Sequence, residues 1–149
     1  MLMDYVQDAR RKDEKLVLIV GEPGSGKSKM LRSLADNRGW KYMSCNEILT
    51  SELLELVPKV RSQEAPQIID KTFERCGSEV YLLDGMHALF APFLQLDPLE
   101  LIRRLSRRHM IVAAWPGTYE DGRLCFEYNS GLPDAPRTYE VGELSVVQL

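Results

Sequence analysis

Five consecutive apolar residues, Leu16-Val17-Leu18-Ile19-Val20, run directly into Gly21-Glu22-Pro23-Gly24-Ser25-Gly26-Lys27-Ser28. An apolar run without alternation belongs to a strand covered on both faces, as in a parallel sheet. The eight residues after it match G-x-x-x-x-G-K-[ST], and Met30, Leu31 and Leu34 follow at helical spacing. A strand that turns through glycines straight into a helix commits the chain to a βα unit, and so to an α/β fold. The same segment points to a ligand class. A triphosphate is a dense cluster of negative charge, and backbone N–H groups with the positive end of a helix dipole suit it.

Each residue of the loop then has an expected task. Gly21, Gly24 and Gly26 let the backbone take up positive φ and approach phosphate oxygens without a Cβ in the way. Pro23 stiffens the turn by fixing its own φ. Lys27 is expected to reach the β- and γ-phosphates as a point charge. Ser28 is expected to offer its hydroxyl to Mg²⁺, which keeps water and phosphate oxygen as its other ligands. Glu22, Ser25 and Lys29 complete the stretch that should lie against the nucleotide. ATP with Mg²⁺ is the expected ligand pair, although the loop alone does not separate ATP from GTP.

The 149 residues predict one domain, 1–149, with a leading helix in 1–15, a nucleotide-binding core in 16–118 and a β-like tail in 119–149. Net charge is −3, so no global basic excess points to nucleic acid as the main partner. Cys45, Cys76 and Cys125 are odd in number and lack C-x-x-C spacing, which argues against a disulfide framework or zinc site. They read as small buried hydrophobes in a reducing, cytoplasmic setting. Residues 1–15 lack the apolar core of a signal peptide, and no apolar run approaches the length of a membrane span. The expected setting is therefore cytoplasmic, with no membrane.

Along the chain, helical spacing predicts a helix over 2–13, and 26–37 forms the helix after the loop, with Gly39 as its left-handed cap. Residues 40–44 read as a strand. Asn46 is a candidate cap for a helix to about 57, which Pro58 ends. Residues 58–65 read as a polar loop, and Pro66 as the start of a helix closed by Gly77. Residues 80–84 and 110–114 read as further buried strands, separated by a helix over 99–108 that Pro98 opens. Residues 123–128 and 137–141 are extended segments around a turn-rich 129–136, a candidate hairpin. The predicted class is α/β, a three-layer P-loop NTPase core with a mostly parallel sheet and a C-terminal β-hairpin.

Asp84 ends one of these strands. In P-loop proteins that is where a second, magnesium-organising carboxylate sits, and parallel strands bring it to the same crevice as the loop. Asp84-Gly85 is also turn chemistry, which is the competing reading. Motor-type ATPases carry Glu after this Asp; here Gly85 takes that place. His87 is the nearest polar candidate to orient water or sense phosphate, against the simpler reading of a surface histidine at a helix start. Thr118, in Trp115-Pro116-Gly117-Thr118, is the candidate γ-phosphate sensor, and Trp115 reads as a core aromatic. Arg103-Arg104 and Arg107-Arg108-His109 make a basic helix face. A solvated face is the default, ahead of an arginine finger from Arg107 or Arg108 and of a nucleic-acid patch. Sequence does not choose among them.

Taken together, GEPGSGKS, VYLLDGMHALF, LSRRHMIVAAWPG and the β-like tail resemble the BrxF family, small P-loop ATPases of type III BREX bacteriophage-defence systems. The resemblance covers nearly the whole chain. It implies an AAA-like ATPase core; the chain length predicts that the helical lid many AAA proteins carry is missing. It implies a homo-oligomer that works with other BREX subunits, and contact with DNA mainly through those partners. It carries the loop residues and Asp84 over as nucleotide and magnesium residues. Two other functions stay open: a small-molecule or nucleotide kinase, and a non-hydrolysing, nucleotide-dependent assembly switch. Against the kinase, Met86-His87-Ala88 stands where such enzymes continue with an apolar residue and Pro-Arg.

Overall fold

The computed structural model describes residues 2–21, 26–45, 47–48, 58–86, 97–126, 138–142 and 144–149. In chain order these form α1 (Leu2–Ala9), β1 (Leu16–Val20), α2 (Lys27–Arg38), β2 (Lys41–Ser44), α3 (Pro58–Cys76), β3 (Tyr81–Asp84), α4 (Pro98–Ser106) and β4 (Ile111–Ala114). Four more strands follow: β5 (Gly117–Glu120), β6 (Arg123–Phe126), β7 (Thr138–Glu140) and β8 (Ser145–Gln148).

Five strands make one sheet in the order β2-β3-β4-β1-β8, and every neighbouring pair is parallel. Alternate side chains of a strand leave by opposite faces, and both faces are buried here. Leu16 and Leu18, Leu83, Ile111 and Ala113 join Ile69 and Phe73 of α3 and Leu99, Leu101, Ile102 and Leu105 of α4. Val17 and Ile19, Leu82, Val112 and Val147 join Val6 and Ala9 of α1 and Leu31 of α2. The result is three layers, with α1 and α2 on one face of the sheet and α3 and α4 on the other. No described residue forms a helix after β4.

Local chemistry explains the helix ends. Gly39 sits at φ 71° and its N–H donates to Ala35 O at 3.0 Å, the expected left-handed cap. Asp97 caps α4 by accepting from the Glu100 N–H at 3.1 Å, with Pro98 at the first turn. The α3 face is locked by stacking of Phe73 on Tyr81, ring centroids 4.4 Å apart, with His109 edge-on to both.

The structure departs from the sequence reading in two places. Residues 58–65 are not a loop: α3 begins at Pro58, and Pro66 lies inside the helix. Lys59, Arg61, Gln63, Glu64 and Ala65 are good helix formers, and Pro66 removes one intrahelical donor without ending the helix, at a cost of about 3 kcal/mol. The helix expected over 46–57 lies largely outside the described residues, as does the turn over 129–136. The tail is divided. β5, β6 and β7 form a separate three-stranded antiparallel sheet, in which Leu124 pairs with Tyr139 as the hairpin reading required. β8 instead returns to the main sheet beside β1, where Val146 pairs with Leu18. The boundary at 118–119 therefore cuts β5, and the parallel core includes residues near the C-terminus.

Gly117 shows how tightly the small sheet is tied to β4. The indole N–H of fully buried Trp115 donates to Cys125 O at 3.0 Å, crossing over Gly117. A Cβ on Gly117 would lie 1.7 Å from that oxygen and 3.0 Å from the indole nitrogen. Neither group is a flexible side-chain end. Gly117→Ala is expected to lower stability by at least about 1–3 kcal/mol, the usual cost of overpacking, read as a drop in the denaturant midpoint at unchanged m. A midpoint equal to wild type would show that the crossing relaxes freely.

Candidate functional site

Because all five strands of the main sheet run the same way, their C-terminal ends share one edge. Leu18 pairs with Ala113 and Ala113 with Leu83, so the ends of β1 and β3 lie level across β4. Gly21 follows β1 at this edge, and α2 begins there at Lys27 after Gly26, whose φ is 97°. Asp84 is the last residue of β3, directly opposite Ser44 of β2. The parallel ladder thus brings residues 56 positions apart into contact: the Ser28 hydroxyl donates to Asp84 Oδ2 at 2.6 Å. Lys27 Nζ donates to the Gly21 carbonyl, tying the start of α2 to the end of β1.

Asp84 is held by two further donors. Tyr42 of β2 donates its hydroxyl to the same Oδ2 at 2.7 Å. The Gly85 N–H donates to Oδ1 at 2.9 Å, with Gly85 at φ 64°, a conformation that favours glycine. One Asp84 oxygen therefore serves the turn, as the competing reading expects, and the other is held by the hydroxyls of Ser28 and Tyr42. Half-burial works against its charge, but the bonds from Ser28, Tyr42 and Gly85 and the nearby Arg32 guanidinium outweigh it. They hold the carboxyl below its ordinary range. Arg32 lies one helical turn beyond Ser28, with its guanidinium 5.4 Å from the centre of the Tyr42 ring. Burial first, then the bond to Asp84, raises the Tyr42 phenol, so it stays a donor at neutral pH.

This donor set suits Mg²⁺. A hydroxyl that gives its proton to a charged carboxylate keeps its lone pairs, and Mg²⁺ takes one or two protein oxygens with water and phosphate. Among the described residues no group of three or more His, Cys, Asp or Glu side chains forms a protein-only metal cage.

The other expected site residues are placed as follows. Glu22, Pro23, Gly24, Ser25 and His87 lie outside the described residues. Lys29 is exposed on the first turn of α2. Thr118 is not at the end of β4. Pro116 has no N–H, the Gly117 N–H turns back onto Trp115 O at 3.0 Å, and Thr118 is taken into β5 opposite Cys125. Trp115 is the core aromatic expected, against Tyr139.

Arg107 and Arg108 follow α4 and precede β4, so they stand at the opposite edge of the sheet from Ser28 and Asp84. Both have carboxylate partners within the chain. Arg107 lies 3.7 Å from Glu14, and Arg108 bonds Asp70 at 2.6 Å and also Glu74. Arg103 forks onto both oxygens of Glu14, at 3.0 and 3.2 Å from Nε, and that bond holds the Glu14 carboxyl below its ordinary range. Arg103, Arg107, Arg108 and His109 of the basic face thus each meet a carboxylate of their own chain.

Tyr42 and Arg32 were not singled out by sequence. The usable signals were a tyrosine in a strand, whose half-buried hydroxyl needs a partner, and an arginine one turn beyond the loop serine.

The sequence matches no family model and no curated protein. Among solved structures, one described as the crystal structure of a DNA replication initiation factor is similar with a TM-score of 0.37 and 18% identity. The likeness covers 76% of this chain, which spans 36% of the length of that one. At that level it assigns neither fold nor function.

Two outcomes follow from this geometry. The folded-state pKa of Asp84 lies below its ordinary 3.8, so its stabilising contribution is complete above that value and is lost as pH falls through the lower folded value. Asp84→Asn should cost about 1 kcal/mol at pH 7, a modest figure because the site is half exposed, and the gap to wild type should close toward pH 3. Denaturation at pH 7, 5 and 3 reads this, and a gap that widened on acidification would reverse the sign. Burial and the Asp84 charge push the Cys45 thiol up to about 12, whereas Cys76 is exposed. Iodoacetamide at pH 8 should modify Cys76 in the native protein and reach Cys45 only after denaturation, as peptide mass spectrometry can show.

Proposed function

We propose that the chain binds ATP with Mg²⁺ at the edge formed by β1, α2 and β3 and hydrolyses it. In this reading it is an AAA-like subunit that acts as an oligomer in a BREX-type phage-defence complex. The observation that carries the nucleotide part is the Ser28–Asp84 hydrogen bond. It joins a G-x-x-x-x-G-K-S helix start to a strand-end carboxylate at the edge where open α/β sheets bind ligands. The defence assignment is supported by the sequence segments that resemble the BrxF family.

Each residue has a physical task in this reading. The N–H groups at the start of α2 and the Lys27 ammonium meet phosphate charge. Ser28 stays bonded to Asp84 and presents its lone pairs to the metal. Magnesium, when bound, neutralises charge on the β- and γ-phosphate oxygens. Gly85 has no side chain with which to activate water, so that role falls to another group: His87, a neighbouring subunit or a partner protein. The same feature favours a second reading, a nucleotide-dependent switch that does not hydrolyse.

Phosphate release measured over a range of protein concentrations separates these readings. Release without an acceptor, rising steeply with concentration, is expected. Strict dependence on a nucleotide acceptor would select a kinase. Tight binding with no turnover, partners included, would select the switch. Lys27→Ala is expected to weaken ATP·Mg²⁺ binding about 10- to 100-fold, the worth of one charged hydrogen bond, as read by calorimetry. Unchanged affinity and turnover would contradict the proposed site.

A further inference from the structure

Three donors from three different elements clamp the two oxygens of Asp84. Gly85 is the next residue in the chain and moves with Asp84. Ser28 stands beside the loop and, on the nucleotide reading, must answer to the ligand. Tyr42 is different. It lies on β2, which is laddered to β3 with Tyr42 opposite Leu82 and Ser44 opposite Asp84. Its ring packs partly buried on the α2 side of the sheet. Its hydroxyl reaches the same Oδ2 that accepts from Ser28, at 2.7 and 2.6 Å.

We propose that Tyr42 is a positioning residue of this site, fixing Asp84 Oδ2 where it accepts the Ser28 proton and so leaving the Ser28 lone pairs free for Mg²⁺. This rests on the nucleotide reading above. The packing of the ring does not need the hydroxyl, since phenylalanine would fill the same space. The hydroxyl supplies what only an oxygen can: it donates to Asp84, and its oxygen also faces the Arg32 guanidinium. An aspartate side chain turns about two torsions. With Tyr42 in place, turning Oδ2 away from Ser28 breaks a bond to a rigid strand as well as the one to the helix. Without it, Oδ2 keeps only the Ser28 bond, and the carboxylate is otherwise held by the Gly85 N–H on Oδ1. The role should therefore appear in metal dependence and not in general nucleotide affinity.

The test is the binding of a fluorescent ATP analogue to the full chain, titrated with MgCl₂ and repeated in EDTA. Tyr42→Phe should raise the Mg²⁺ concentration for half-maximal binding about threefold to tenfold, less than the full worth of a hydrogen bond to a charged group because Tyr42 acts only through Asp84. Binding in EDTA should stay as in wild type. In an Asp84→Asn background the same change should have no further effect. Equal half-saturation in wild type and Tyr42→Phe would overturn the role of Tyr42 while leaving the nucleotide site standing. So would a loss of affinity that is the same with and without metal, an additive effect in the Asp84→Asn background, or a Tyr42→Phe protein that fails to fold. Wild-type protein that shows no Mg²⁺-dependent binding would overturn the nucleotide reading and this inference together.

Discussion

A strand buried on both faces has no side-chain face to give to a ligand, so whatever such a sheet holds must be held at its ends. That constraint governs this molecule. Helices cover the two faces of β1, β3 and β4, and the parallel ladders bring the ends of these strands level. Polar chemistry is left at the edge where β1 opens into α2. The Ser28–Asp84 bond is the consequence, because only a parallel arrangement of these strands brings the start of one helix against the end of a strand two places away.

The two edges of the sheet differ in character. At the C-terminal edge, one carboxylate gathers hydroxyl and amide donors and keeps its charge, as a cation-assisted anion site requires. At the opposite edge, arginines meet carboxylates in ion pairs between elements: Arg103 and Arg107 with Glu14, and Arg108 with Asp70 and Glu74. These pairs bridge α4 and its end to the segment before β1 and to α3. Partly exposed pairs of this kind add little stability each, and they leave the arginines engaged within their own chain.

The parts of the fold legible in sequence were those with a strong local cause. The apolar runs of β1, β3 and β4, Gly26 at φ 97°, Pro98 and Gly39 each act within a few residues. Pro66 misled because proline usually marks a helix start, while the good helix formers before it carried α3 through. Asp121-Gly122 forms the tight turn between β5 and β6, with φ 52° and 76°, and such a dipeptide is a hairpin signal that can be read directly. β8 was hidden because four residues at the edge of a sheet carry little pattern, and their place beside β1 is decided by tertiary contact. In the site, Lys27, Ser28 and Asp84 were readable because a motif and a strand end fix them. Tyr42 was not, because its role depends on which strand lies next to β3. Thr118 was misplaced for the same reason: Pro116 and Gly117 turn the chain out of the main sheet.

The central claim is that Ser28 and Asp84 act as one unit in holding nucleotide-bound metal. A double-mutant cycle on ATP·Mg²⁺ affinity, with Ser28→Ala, Asp84→Asn and both together, tests it most directly. If the contact is the heart of the site, each single change weakens binding and the double variant is little worse than the weaker single one. Fully additive losses, or single variants that bind as wild type does, would contradict the account.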